Sequence, residues 1–227
     1  MTGVGQISGP KELARFLDYS LLRADATKED IVRVCAEARE HGIGRVCVNT
    51  SRVAQAYHLL EDSGVQLVAA VGFPLGAMDS DAKRYETEVA VDSDAQFIEV
   101  VANIGRLKDG DHGYVLRELR DVVEAADERP VSVVIEAPLL SAAEIESACG
   151  IIEEAGAKGV VVSTGFEGRN ARIEDIRRVR EAIDESFGVK ASGGIADGAA
   201  ALAMIDAGAT RIGTVDVGEI LKSCAVA

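Results

Sequence analysis

Tryptophan is absent from this chain, and aromatic residues make up 4% of it, so any core has to be filled by aliphatic side chains. Valine, isoleucine, leucine and alanine supply most of the 48% that is hydrophobic, the composition of a parallel sheet wrapped by helices. The four cysteines, Cys35, Cys47, Cys149 and Cys224, show neither Cys-x-x-Cys spacing nor a histidine pair beside them. That argues against a zinc site and a disulfide framework, and buried thiols in a reducing cytoplasm are expected instead. No metal and no other cofactor is called for. Residues 1–10 lack a basic stretch followed by an apolar one, and no apolar run is long enough to span a bilayer, so no membrane association is expected. Positive charge is also short: the formal net charge is −14, which repels nucleic acid and anionic lipid.

What is present is a regular alternation. Short apolar runs at 17–20, 45–49, 65–72, 97–101, 131–136, 159–163, 189–192 and 211–213 read as strands, several apolar throughout as in a sheet buried on both faces. Between them run helix-period stretches. Thr27 is placed to cap the first, with Ile31, Val34 and Cys35 on one face and Gly42 after its last turn. Residues 111–126, 141–155, 173–187 and 197–207 read as further helices, with Gly156, Gly188 and Gly208 at expected C-terminal caps. Eight strand–helix units, and no Gly-x-Gly-x-x-Gly turn after the first strand, predict an α/β fold, a single-domain (β/α)8 TIM barrel rather than an open sheet. One domain over 1–227 is expected, the barrel proper spanning about 17–223 after a short N-terminal segment, 1–16.

Active sites of such barrels lie at the C-terminal ends of the strands. That rule selects Asp18, Cys47, Asn49, Phe73, Pro74, Glu99, Glu136, Ser163, Thr164, Lys190, Ser192, Gly193, Gly194 and Gly213. Among these, Lys190 is the one cation, and a lysine within a strand is costly to bury unless a carboxylate meets it. Glu99 and Asp18 are the partners expected, either as a catalytic group or as an internal ion pair with no chemical role. The turn Ser192-Gly193-Gly194, with Gly213 after the last strand, suits either phosphate binding on backbone N–H groups or plain tight turns.

Ordered motifs then carry a resemblance along nearly the whole chain: Leu21-Leu22 with Asp25-Ala26-Thr27, Val46-Cys47-Val48-Asn49, Val71-Gly72-Phe73-Pro74-Leu75-Gly76, Asn103-Ile104-Gly105 with Leu107-Lys108, Ser163-Thr164-Gly165-Phe166, and Lys190-Ala191-Ser192-Gly193-Gly194-Ile195. The chain resembles the deoxyribose-phosphate aldolase family of class I aldolases. Such enzymes split deoxyribose 5-phosphate into acetaldehyde and glyceraldehyde 3-phosphate. They do so through a lysine imine on strand six, with an aspartate on strand four and a second lysine on strand seven. By this resemblance the second lysine is Lys190, the strand-four carboxylate is Glu99, and the imine-forming position holds Val161. Where the family has a phosphate-binding arginine and serines, this chain reads Ala196, Val215 and Asp216, and Glu167 adds an acid partly offset by Arg169.

The expected activity is therefore aldolase-like lyase or related enolate chemistry on a small, unphosphorylated carbonyl compound, with Lys190, Glu99 and Asp18 catalytic. Cys47, Asn49, Glu136, Ser163, Thr164, Gly165, Ser192, Gly193, Gly194, Gly213 and Asp216 are the expected substrate-binding positions. Two alternatives stand beside it: a deoxyribose-phosphate-type aldolase with Lys190 as imine lysine, and a non-catalytic binding protein on the same fold. The partner is the small-molecule substrate, with a homodimer left open.

Overall fold

In the computed structural model, which describes residue 7 and residues 9–224, eight parallel strands close into a barrel. They are β1 (Leu17–Leu21), β2 (Arg45–Asn49), β3 (Gln66–Val71), β4 (Phe97–Val101), β5 (Val131–Val134), β6 (Gly159–Val161), β7 (Gly188–Ser192) and β8 (Arg211–Thr214). The strands follow chain order, and β8 returns to β1 with Leu17 opposite Ile212 and Asp18 opposite Gly213. Around them run α1 (Pro10–Ala14), α2 (Lys28–His41), α3 (Val53–Leu60), α4 (Ser80–Asp92), α5 (Ile104–Lys108), α6 (His112–Ala125), α7 (Ala142–Ala155), α8 (Ile173–Ala182), α9 (Gly198–Asp206) and α10 (Val217–Cys224).

Successive side chains of a strand point to opposite faces, so each strand serves two cores. Ile98 and Val100 of β4, like Val189 and Ala191 of β7, join the large layer between sheet and helices. The alternate residues point into the barrel. There they form two small apolar clusters, Cys47, Val68 and Ala70 on one side and Val101, Val134 and Val161 on the other. Glu99 and Lys190 alternate with outward apolar neighbours on β4 and β7, which is how the polar pair comes to lie inside.

Local signals explain several boundaries. Thr27 and Asp30 make a reciprocal capping box at the start of α2, and Gly42 closes it in the left-handed conformation at φ 64°. Ser141 with Glu144, and Gly156, do the same for α7. Gly188 does not cap α8; it opens β7. The helix stops at Ala182 because Ile183 turns extended and buries its side chain, leaving 184–187 as a turn in which Asp184 accepts from the Ser186 N–H at 2.9 Å. β5 and β6 end earlier than the apolar runs suggest, since Glu136 enters the left-handed region at φ 48° and Ser163 bonds the Arg169 carbonyl. Part of the N-terminal segment, residues 1–6 and 8, and the last residues, 225–227, lie outside the described residues; within 9–16 the chain forms α1. No helix among the described residues is long and apolar enough to cross a membrane.

Candidate active site

A cavity of about 720 Å³ opens at the C-terminal end of the strands. Lys190 and Glu99 reach it from β7 and β4, and Lys190 Nζ donates to Glu99 Oε1 at 2.6 Å. The same nitrogen lies 2.9 Å from Asp18 Oδ2, below the cavity floor. Asp18 is held from beneath by Arg211, whose Nε donates to Asp18 Oδ1 at 2.7 Å. Arg211 and Arg45 therefore close the barrel's N-terminal end, with the Arg45 guanidinium 3.8 Å from the centre of the Phe97 ring. A column of alternating charge runs through the barrel: Arg211, Asp18, Lys190, Glu99.

Gly213 makes room for this column. A Cβ there would come within 2.8 Å of Lys190 Cε and 2.7 Å of Ser192 Oγ, so a side chain at 213 would displace the lysine stem. Higher up, Gly165 and Gly193, with φ of 72° and 88°, let the loops after β6 and β7 touch. A Cβ on Gly165 would meet Gly193 Cα at 2.8 Å.

Burial alone would push the Lys190 ammonium down, but the charges of Asp18 and Glu99 outweigh it and hold its pKa above the ordinary 10.5. For Asp18, burial raises and the Lys190 and Arg211 charges lower; the cations win, and its pKa falls below 3.8. Cys47, wholly buried with Sγ 3.8 Å from Glu99 Oε2, has its thiol pushed well up by burial and by the carboxylate. Lys190 is therefore a held ammonium, and Cys47 is a thiol without nucleophilic character at neutral pH.

Of the residues singled out in the sequence, Lys190, Glu99, Asn49, Ser163, Thr164, Gly165, Ser192, Gly193, Gly194 and Gly213 border the cavity, as do Phe73 and Pro74. Asp18 and Cys47 lie beneath it. Glu136 does not face it: buried in its left-handed turn, it pairs with Arg169 Nε and accepts the Thr164 N–H, clamping the loop after β6. Asp216, expected beside the substrate, also turns away. Its Oδ1 accepts the Glu219 N–H at 2.9 Å in the first turn of α10, because a carboxylate is stabilised by unpaired N–H groups there. Glu167 is exposed and paired with Arg169 at 3.6 Å, away from the cavity.

Two features escaped the sequence reading. Arg211 opens a strand and shows no sign in the sequence of facing inward. A second buried pair, Lys83 Nζ to Glu118 Oε1 at 2.8 Å, joins α4 to α6 with both side chains inaccessible to solvent. Lys83 lies four and seven residues before the buried Thr87 and Ala90, on an inner face too polar to stand out as an apolar stripe in the sequence.

Fold and site together define an α/β barrel whose cavity, at the C-terminal ends of the strands, is bordered by a paired lysine and glutamate. The chain belongs to the DeoC/LacD aldolase family, whose profile matches residues 17–218. It is 48% identical over 202 residues to the deoxyribose-phosphate aldolase of Alkaliphilus oremlandii, covering 88% of this chain and 91% of that one. It is 44% identical over 215 residues to that of Aciduliprofundum boonei, covering 94% and 97%. Among solved structures, the deoxyribose phosphate aldolase from Aeropyrum pernix, described as tetrameric, superposes with a TM-score of 0.88 at 30% identity over 95% and 92% of the two chains. A putative deoxyribose-phosphate aldolase from Coccidioides immitis superposes with a TM-score of 0.90 at 31% identity over 97% and 91%.

Proposed function

We propose that this chain breaks or forms a carbon–carbon bond in a small carbonyl compound by acid–base chemistry, with Lys190 as the acid and Glu99 as the base. In the cleavage direction Glu99 takes the proton of a β-hydroxyl group, and the bond between the α and β carbons breaks. The electron pair passes into the carbonyl as an enolate held by the Lys190 ammonium, and Glu99 returns the proton to the α carbon. Asp18 and Arg211 position Lys190 from below. The observation that carries this reading is the contact of Lys190 Nζ with two carboxylates, at 2.6 and 2.9 Å, which keeps the amine protonated. The resemblance sets the imine lysine at Val161, which has no nucleophile to offer.

A second reading is favoured by the relatives named deoxyribose-phosphate aldolases, two of which are 48% and 44% identical to this chain. In it Lys190, the one lysine bordering the cavity among the described residues, forms the imine itself on deoxyribose 5-phosphate. That route requires Lys190 to shed its proton against both carboxylates. Assembly as a homo-oligomer accords with the tetramer described for the Aeropyrum pernix protein.

Borohydride reduction in the presence of acetaldehyde at neutral pH, read by intact mass, separates the two. The acid–base reading expects no stable adduct on Lys190. An adduct there, lost in Lys190→Met, overturns it in favour of the imine.

A further inference from the structure

The strands carry five charged residues, Asp18, Arg45, Glu99, Lys190 and Arg211. Register and contacts turn all of them into the barrel, where three cations face two carboxylates. Both carboxylates are taken: Lys190 meets the two of them, and Arg211 holds Asp18 from the other side. Arg45 meets neither. Its Nε donates to Gln66 Oε1 at 3.3 Å and its guanidinium sits 3.8 Å from the centre of the Phe97 ring, but the N–H groups of its two terminal nitrogens have no acceptor among the described residues. Arg211 Nη1 donates to the Arg15 carbonyl at 3.1 Å and keeps a second N–H. Burial, and then the charge of Arg211, push the Arg45 pKa below its ordinary value, so the two guanidinium groups repel each other. One positive charge inside the barrel is thus left without a counter-charge. It sits on a half-buried residue at the end away from the cavity, where water screens it on one side only.

We infer that Arg45 and Arg211 form an anion site at the N-terminal end of the barrel, which takes a phosphate-sized oxyanion on the remaining N–H groups of the two side chains. The edge of a guanidinium matches a pair of phosphate oxygens, and stacking on Phe97 holds one of the two guanidinium groups in place beforehand. A bound oxyanion also relieves the repulsion between the arginines. Gly44 keeps the approach open: a Cβ there would come within 2.6 Å of Arg211 Nη2 and 2.4 Å of the Arg15 carbonyl oxygen, so a side chain at 44 would crowd the guanidinium. The net charge of −14 opposes anions at a distance, so the site acts by contact. Arg211 belongs both to this site and to the column that ends at Lys190, which places the anion in series with the catalytic lysine. The site stands whichever reaction Lys190 carries out.

Inorganic phosphate, titrated into the nitrogen-15-labelled full chain at constant ionic strength in potassium chloride, tests this through the Nε–H resonances of Arg45 and Arg211. Both are expected to shift and to saturate with a single Kd. At about one hundred times that Kd, Tm should rise by roughly 5–10 °C. Arg45→Met removes the guanidinium and keeps an unbranched chain against Phe97. It should weaken phosphate at least about tenfold, the loss of charge-assisted hydrogen bonds, and abolish the rise in Tm. In phosphate-free buffer the variant should unfold no lower than wild type, because the uncompensated charge has gone. Resonances that stay fixed while phosphate binds at the cavity overturn the proposal, as does a wild type that binds none, and neither result needs a variant to fold. Unchanged affinity in Arg45→Met overturns it too. Glycerol 3-phosphate separates the sources of the group: binding as tight as that of inorganic phosphate identifies a phosphate monoester as the ligand, and clearly weaker binding identifies the free ion.

Discussion

Lys190 Nζ lies 2.9 Å from Asp18 Oδ2 and 2.6 Å from Glu99 Oε1, so one positive charge serves two carboxylates and each of the three answers for the others. Lys190→Met leaves Asp18 paired with Arg211 and takes from Glu99 the cation that pairs it, and a loss of roughly 3–5 kcal/mol is expected by urea unfolding, together with loss of activity. Glu99→Gln keeps the shape while removing one counter-charge. It should slow proton transfer roughly 10²–10⁴-fold and lower the Lys190 pKa, so reductive trapping of acetaldehyde should appear in this variant and not in wild type. Equal trapping in both would mean that Lys190 is already neutral. The pH dependence follows from the signs of the shifts. Asp18 has its folded pKa below 3.8, so the stability it contributes is present above about pH 4 and is lost as pH falls through the folded value. Lys190 lies above 10.5, so its contribution is present below that and lost as pH rises through its folded value. Thermal unfolding should therefore show wild type more stable than Asp18→Asn from pH 5 to 9, with the gap closing under acid conditions below pH 4. A gap that persists unchanged into strong acid would mean that Asp18 is not ionised in this column.

At the scale of elements, α4 gathers the loops at the barrel mouth. Lys83 Nζ donates to the Val101 carbonyl at the end of β4, at 2.8 Å, and Glu118 accepts the Asn103 N–H at 3.2 Å. One turn on, Glu86 accepts the Gly72 N–H after β3 at 2.8 Å and the Thr50 hydroxyl after β2 at 2.9 Å. Burial drives the Lys83 pKa down and the Glu118 pKa up despite their mutual attraction, so each depends on its partner remaining charged. Lys83→Met alone should cost roughly 3–5 kcal/mol, and the double change Lys83→Met with Glu118→Leu should recover most of it. A double variant as unstable as the single one would place the cost in the lost bond to Val101 instead. This helix also shows where the sequence is hard to read. α2 and α7 announce themselves with a capping box, an apolar stripe and a closing glycine. The inner face of α4 carries Lys83 and Thr87 where a stripe would be apolar, so its period is hidden by the pair that anchors it. Gly188 misled for a different reason: whether a glycine after a helix caps it depends on where the helix stops, and Ile183 ends this one through its burial in the core.

For the whole molecule, closure of the barrel decides what the sequence could reveal of the site. Lys190 and Glu99 are legible because each interrupts an apolar strand, and alternation alone turns both inward. The inward face of Arg211 is fixed by the register that closes β8 on β1, with Leu17 opposite Ile212, and no local pattern reports that. Asp216 was misplaced because sequence order cannot tell a residue facing the cavity from one capping the next helix. The Asp216 carboxylate does not border the cavity; it occupies a donor in the first turn of α10 that an anion could otherwise use. Ala196 and Val215 border the cavity without a polar side-chain atom, and the net charge of −14 disfavours anionic ligands at long range. These features set the outcome of Val161→Lys. Val161 is the register partner of Lys190 across β6 and β7, so a lysine there adds a second ammonium beside the first, and like charges lower each other's pKa. The variant should therefore trap acetaldehyde with borohydride. It should still not become an effective deoxyribose 5-phosphate aldolase, because an imine at one end of the sugar does nothing to hold the phosphate at the other. In a coupled aldehyde assay its rate is expected to rise linearly with substrate beyond about 1 mM without saturating, outside the ordinary range of KM. Saturable turnover on the order of 1–10³ s⁻¹ would show instead that the backbone of Gly193 and Gly194 suffices to bind phosphate.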